Sequence, residues 1–166
     1  LASALFGNWA VAGIVTYEGA APLPVRIPNS LPLFNGQLRP DVLAGADPYV
    51  KRAGGDFRPG NTVTGETGDV LLNRAAFATP APFQFGSFSP YASWLRGFGF
   101  AGEDFSVLKR VPIGEARFAE IRADFFNAFN RTNLTAPVVD LTSANFGRTF
   151  DSRPMRVVQF GARLSF

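Results

Sequence analysis

The sequence predicts an all-β chain of about four antiparallel strands, joined by one tight turn and two very long connections. Apolar residues recur at every second position over several stretches, the spacing that gathers them on one face of a strand. Gly (17) and Pro (13) are frequent and scattered, and Phe reaches 18 of 166 residues, a composition that suits strands and loops better than helices. No apolar run is long enough for a transmembrane helix.

The first stretch runs from about Gly7 to Val25. Trp9, Val11, Gly13, Val15 and Tyr17 share one face, and Asn8, Ala10, Ala12, Ile14, Thr16 and Glu18 the other. In a strand tilted by ~40°, Trp9 and Tyr17 would stand roughly 20 Å apart in height, suitable for two aromatic girdles. The second stretch is about 103–111: Phe105, Val107 and Val111 alternate with Asp104, Ser106 and Arg110. Lys109 interrupts its apolar face and is tolerable there only where it can snorkel to an interface. In the third, about 115–127, Ala119, Ile121, Ala123 and Phe125 oppose Glu120, Arg122 and Asp124. In the fourth, about 155–166, Val158, Phe160, Ala162, Leu164 and Phe166 oppose Gln159, Gly161, Arg163 and Ser165.

The connections are unequal. Val111-Pro112-Ile113-Gly114 reads as a tight turn, Pro second and Gly fourth, which makes a hairpin of the second and third strands. Residues 28–102 form one long connection and 128–154 another. The first carries Phe34, Phe57, Phe77, Phe83, Phe85, Phe88, Trp94, Phe98 and Phe100, too many aromatics for a solvated linker, so part of it is expected to pack on itself or to extend strands. A structureless loop of this length would be out of place in a compact soluble domain. Short turns on one side and long loops on the other are the rule for outer-membrane barrels, where the turns are periplasmic and the loops extracellular.

Composition narrows the function. Without Cys there is neither a disulfide framework nor a thiolate site, and without His the usual catalytic base and the commonest metal ligand are missing. The chain is therefore not expected to be an enzyme, and no cofactor or metal is expected. The net charge of +3 comes from scattered arginines rather than a basic face, which argues against nucleic acid. The start at Leu1, with no initiator Met or signal peptide, suggests that the protein extends upstream.

Strand length decides between a soluble sandwich and a membrane wall. The clean stretches run to ten residues or more, long for a sandwich and right for a tilted membrane strand. Their polar faces hold charges of both signs, as a wet lumen requires. The expected fold is therefore a fragment, about four C-terminal strands, of an antiparallel transmembrane β-barrel with long extracellular loops. Four strands cannot close a barrel, and open backbone edges are not tolerated in lipid, so further strands are expected upstream.

Several segments resemble a known family. Asn73-Arg74-Ala75-Ala76-Phe77, Leu95-Arg96-Gly97-Phe98-Gly99-Phe100 and Glu103-Asp104-Phe105-Ser106-Val107-Leu108-Lys109-Arg110 resemble the closing third of Oar-like TonB-dependent receptors. So do Phe125-Phe126-Asn127-Ala128-Phe129-Asn130-Arg131-Thr132-Asn133, Asn145-Phe146-Gly147-Arg148 and Gln159-Phe160-Gly161-Ala162-Arg163-Leu164-Ser165-Phe166. The Phe-Asn-x-Phe-Asn segment and the final Phe are common to many TonB-dependent barrels; the first two segments point more narrowly. The resemblance implies a barrel of about 22 strands in the outer membrane of a Gram-negative bacterium. It also implies a plug and a TonB-contacting segment upstream, often with a carboxypeptidase-regulatory-like domain. The implied role is import of an unidentified substrate; the rival reading is a structural or adhesive barrel without active transport. The implied partners are outer-membrane lipid, TonB through the upstream part, and the barrel-assembly machinery, with Phe160, Ala162, Leu164 and Phe166 as its signal.

Candidate site residues follow from the two faces. Trp9, Val15, Tyr17, Ile121 and Phe125 are expected to face lipid, and Glu120, Arg122, Asp124, Gln159 and Arg163 the lumen. Glu120 and Asp124 could serve as paired carboxylates for acid–base work, but without a nucleophile motif solvation of a lumen is the better reading. Asp56, Asn61, Glu66 and Asp69 could offer oxygen ligands to Ca²⁺, yet their spacing fits no calcium loop. Gly54-Gly55 and Gly65/Gly68 are not followed by the Lys-Ser/Thr of a phosphate loop. Asn130-Arg131-Thr132 and Asn133-Leu134-Thr135 match glycosylation acceptors, a short pattern that arises by chance. Phe125, Phe126 and Phe129 suggest an interfacial girdle before a stacking platform.

Overall fold

A computed structural model describes residues 6–29, 31, 36–54, 56–90, 92–114 and 117–166. In chain order its strands are β1 (Trp9–Glu18), β2 (Asp41–Val42), β3 (Phe77–Ala78), β4 (Phe100–Pro112), β5 (Phe118–Phe126) and β6 (Val157–Ser165), with one 3₁₀ turn at Arg74–Ala76. Among the described residues no helix is long and apolar enough to cross a membrane. The chain divides into a sheet unit, Leu1–Glu18 with Phe100–Asn133 and Arg153–Phe166, and a loop unit, Gly19–Gly99 with Leu134–Ser152.

The sheet unit is a four-stranded antiparallel meander in the order β1-β4-β5-β6. Its register follows the alternation in the sequence, because partners across an antiparallel ladder share a face. One row reads Val11, Val107, Ala123, Phe160, and the next on that face Trp9, Lys109, Ile121, Ala162. The opposite face carries the row Ala12, Ser106, Asp124, Gln159. Gly13 lets the Phe105 ring lie across β1: a Cβ there would come within 2.8 Å of the ring.

The element boundaries differ from the sequence expectation. The first strand stops at Glu18 rather than Val25, because Leu23, Val25 and Ile27 turn into the core of the loop unit. The second begins at Phe100 rather than about 103 and runs on to Pro112. Pro112 is not in the turn but pairs with Phe118 at the end of the ladder. The ladder to β1 runs only as far as Lys109 among the described residues, so a missing N–H is tolerated at Pro112. The reversal spans 113–117, closed by the Ile113 N–H donating to the Arg117 carbonyl at 2.8 Å. Glu115, the expected start of the third strand, lies outside the described residues, as do Phe34 and Gly55.

The loop unit packs around its own core. Leu23, Val25, Leu38, Leu72, Phe77, Phe88, Leu95 and Phe146 are among its buried members, and Phe77 meets Phe88 and Phe146 edge-on at 5.9 and 5.8 Å. Gly147 sits at φ +79°, where a Cβ would also run into the Leu72 backbone. Among the described residues, every buried apolar side chain of the core belongs to this unit. The sheet has no such core.

Candidate functional site

The sheet's two faces are chemically opposite, and neither is covered within its own unit. Trp9, Val15, Tyr17, Ile121 and Phe125 fall on one face, with Phe160, Ala162 and Leu164 beside them. Val11 is 71 %, Ile121 56 % and Phe160 76 % exposed. An apolar surface of this extent does not stay in water on a soluble monomer. Phe166 follows β6 and is exposed.

Two ionic residues lie on that apolar face, and each has partners close by. Lys109, near the turn end, donates to the Gly7 carbonyl and holds its ammonium 4.9 Å from the centre of the Trp9 ring. Glu103, near the loop end and 2 % exposed, accepts from the Tyr17 hydroxyl at 2.5 Å and from Arg131 Nε at 2.8 and 2.9 Å. That hydrogen bond makes the Arg131 guanidinium still harder to deprotonate than usual. The sequence reading missed this cluster because the partners of Glu103, Tyr17 and Arg131, lie 86 and 28 residues away in the chain. The available signal was Glu103 itself, a carboxylate in register with Phe105 and Val107.

Glu120, Arg122, Asp124, Gln159 and Arg163 share the other face. Arg110 pairs with Glu120 at 3.1 Å and Arg122 with Asp124 at 2.8 Å, so both carboxylates are committed to arginines rather than to each other. At the loop end this face closes into a hollow of about 260 Å³ lined by Phe100, Gly102, Asp104, Phe126, Asn127 and Arg153 among others. Arg153 lies over the Phe100 ring at 4.6 Å, and a Cβ at Gly102 would strike that ring. Phe125 and Phe126 therefore point to opposite faces, and Phe129 packs edge-on against Phe105 at 6.0 Å. The three do not form one platform, because consecutive strand residues cannot share a face.

The segments that carried the family resemblance hold the backbone of the turns. Asn127 (φ +50°) exchanges hydrogen bonds with Arg131 through its side-chain amide. Asn133 does the same for Ala101, accepting from its N–H at 2.9 Å and donating to its carbonyl at 2.8 Å, in place of a neighbouring strand. In the loop unit, Asn73 caps the 3₁₀ turn, and Arg74 donates to the Leu141 and Ser143 carbonyls across the Phe146 ring. Asn130 is left-handed (φ +53°) and accepts from the Arg156 N–H.

Of the oxygen-bearing residues at 56–69, Asp69 is held by arginine. The Arg58 N–H donates to it at 2.8 Å and Arg52 pairs with it at 2.9 Å, and these keep its carboxyl below the usual range. Asn61 accepts from the Val63 and Thr64 N–H groups of its own turn. Among the described residues no group of three or more acidic side chains gathers for a metal ion. Asp140 is likewise held low, by the Thr142 hydroxyl and N–H at 2.7 and 2.9 Å.

The model of one protein family, described as an outer membrane beta barrel domain, matches residues 1–159. No curated protein and no solved structure matches the chain.

Proposed function

This chain belongs to the outer membrane beta barrel domain family, and from that premise we propose that it forms wall and outer loops of a TonB-dependent transporter. Its place is the bacterial outer membrane. In this reading the apolar face meets lipid, the charged face lines the interior, and the loop unit is extracellular. Phe160, Ala162, Leu164 and Phe166 lie along β6, where strand addition by the assembly machinery would read them. No catalytic role is proposed, since Glu120 and Asp124 are tied to arginines.

The observation that favours transport over a purely structural wall is the hollow on the charged face. A wall needs only solvated charges inside. A conduit needs places where a solute can rest, and Phe100, Phe126 and Arg153 offer stacking and charge side by side. The test is capture of the full-length outer-membrane protein by the periplasmic domain of TonB. Specific capture is expected. Its absence, together with loss of surface adhesion when the gene is deleted, would favour the adhesive barrel.

A further inference from the structure

The hollow at the loop end of the charged face holds one anion and one cation that do not meet. Among the described residues Asp104 and Arg153 are its only charged lining. Further along the same face the charges close on each other, Arg110 on Glu120 and Arg122 on Asp124. Asp104 and Arg153 form no ion pair among the described residues, with each other or with a third group. Both can be reached from solvent, since Arg153 is exposed and Asp104 half-buried.

The two charges enter the hollow from different elements. Asp104 stands on β4, and its Oδ1 accepts from the Asn127 N–H at 2.8 Å, which leaves its other lone pairs for a second donor. Two residues back on the same face, roughly 7 Å along the strand, Gly102 makes room for the Phe100 ring, which a Cβ there would approach to 2.8 Å. The Arg153 guanidinium lies over that ring at 4.6 Å. This stacking holds its position and leaves its N–H groups without a described acceptor. Phe126 and Met155 line the same space with exposed apolar surface.

Opposite charges left apart in one small hollow are complementary to a solute that carries both signs. A guanidinium edge matches the two oxygens of a carboxylate, and a carboxylate with free lone pairs accepts from an ammonium. At about 260 Å³ the hollow falls below the ~300–1,000 Å³ of sites for drug-sized ligands, which suits a small solute. A sugar would call on neutral amides. Those of Asn127 and Asn133 are already engaged, with Arg131 and with Ala101.

We propose that this hollow binds a free α-amino acid with an apolar side chain: its ammonium on Asp104, its carboxylate on Arg153 and its side chain against Phe126 and Met155. This names the solute class for the transport reading and rests on that reading for the purpose of the site.

The test uses full-length protein purified from outer membranes and calorimetric titration with three probes of similar shape. These are L-phenylalanine, 2-phenylethylamine, which lacks the carboxylate, and 3-phenylpropionate, which lacks the amine. L-Phenylalanine should bind saturably and at least tenfold more tightly than either of the others. Arg153→Met should weaken L-phenylalanine tenfold or more and leave 2-phenylethylamine unchanged. Asp104→Asn, which keeps an oxygen for the Asn127 N–H, should weaken L-phenylalanine as much and leave 3-phenylpropionate unchanged. Equal affinity for the three probes, no saturation by about 10 mM L-phenylalanine, or unchanged L-phenylalanine binding in either variant would overturn the proposal. If a variant fails to fold by heat-modifiable gel mobility, the three probes on the wild type decide. TonB capture is measured on the same preparation: capture without preference for the zwitterion sinks this proposal alone, and preference without capture sinks the transport reading alone.

Discussion

Glu103 lies on the face of β4 that also carries Phe105, Val107 and Val111, and its carboxylate is closed off by Tyr17 and Arg131. A charge in that position is tolerable only while its partners are present, because an uncompensated buried charge is worse than none. Arg131→Met should therefore destabilise the full-length protein more than Glu103→Gln does. The double variant should lose less than the sum of the two, since removing both partners leaves nothing stranded. Urea unfolding in liposomes reads all three; strictly additive losses would mean the pair is not coupled. Asp69 gives a pH prediction in the loops. Its folded pKa lies below its unfolded value, so the stability it contributes is present above the unfolded pKa of ~3.9 and is lost as pH falls through the folded one. Protease nicking near 52–69 should rise below about pH 4, and Asp69→Asn should nick at neutral pH as the wild type does in acid. A wild type that resists nicking equally at both pH values would show that the arginine clamp does not hold this loop.

At the scale of the strand, the decisive property is which face a substitution enters. Ala123 lies between Val107 and Phe160 on the apolar face, and Gln159 lies beside Asp124 on the charged one. In bilayers Ala123→Arg should cost about 2–4 kcal/mol, the range for a cation facing mid-membrane lipid. Gln159→Arg should cost much less, because the interior is wet and Asp124 is its cross-strand neighbour. Equal costs would reverse or abolish the assignment of faces. The turn between β4 and β5 follows the same logic: Pro112 is accommodated at the end of the ladder, where its lost N–H bond matters least.

The whole molecule has a core on one side of its division and none on the other. The loop unit buries Leu72, Phe88 and Leu95 almost completely, while the sheet's apolar side chains stay exposed within their own unit. The two should respond to different insults. Leu72→Ala, which opens a cavity in the loop core, should destabilise that unit by about 2–5 kcal/mol. The heat-modifiable gel mobility of the barrel should remain as in the wild type. Hydrogen exchange of the loop amides and gel mobility, measured on one sample, separate the outcomes. A common loss of both would mean that the units unfold as one.

The sequence by itself determined the faces of the sheet. Side-chain direction in a strand repeats every two residues, so Ile121 against Arg122 and Phe160 against Gln159 were legible wherever the strand began or ended. It also determined that residues 28–102 could not be a plain solvated linker, because too many aromatics had to be buried somewhere. Only the tertiary structure decided where the first strand stops, since Leu23 and Val25 continue an apolar pattern and leave the sheet for partners distant in sequence, Leu95 among them. It alone decided that Arg131 answers Glu103, 28 residues away. Alternation is a local property of the backbone; pairing of charges and the shape of a cavity depend on contacts between segments that local periodicity cannot specify.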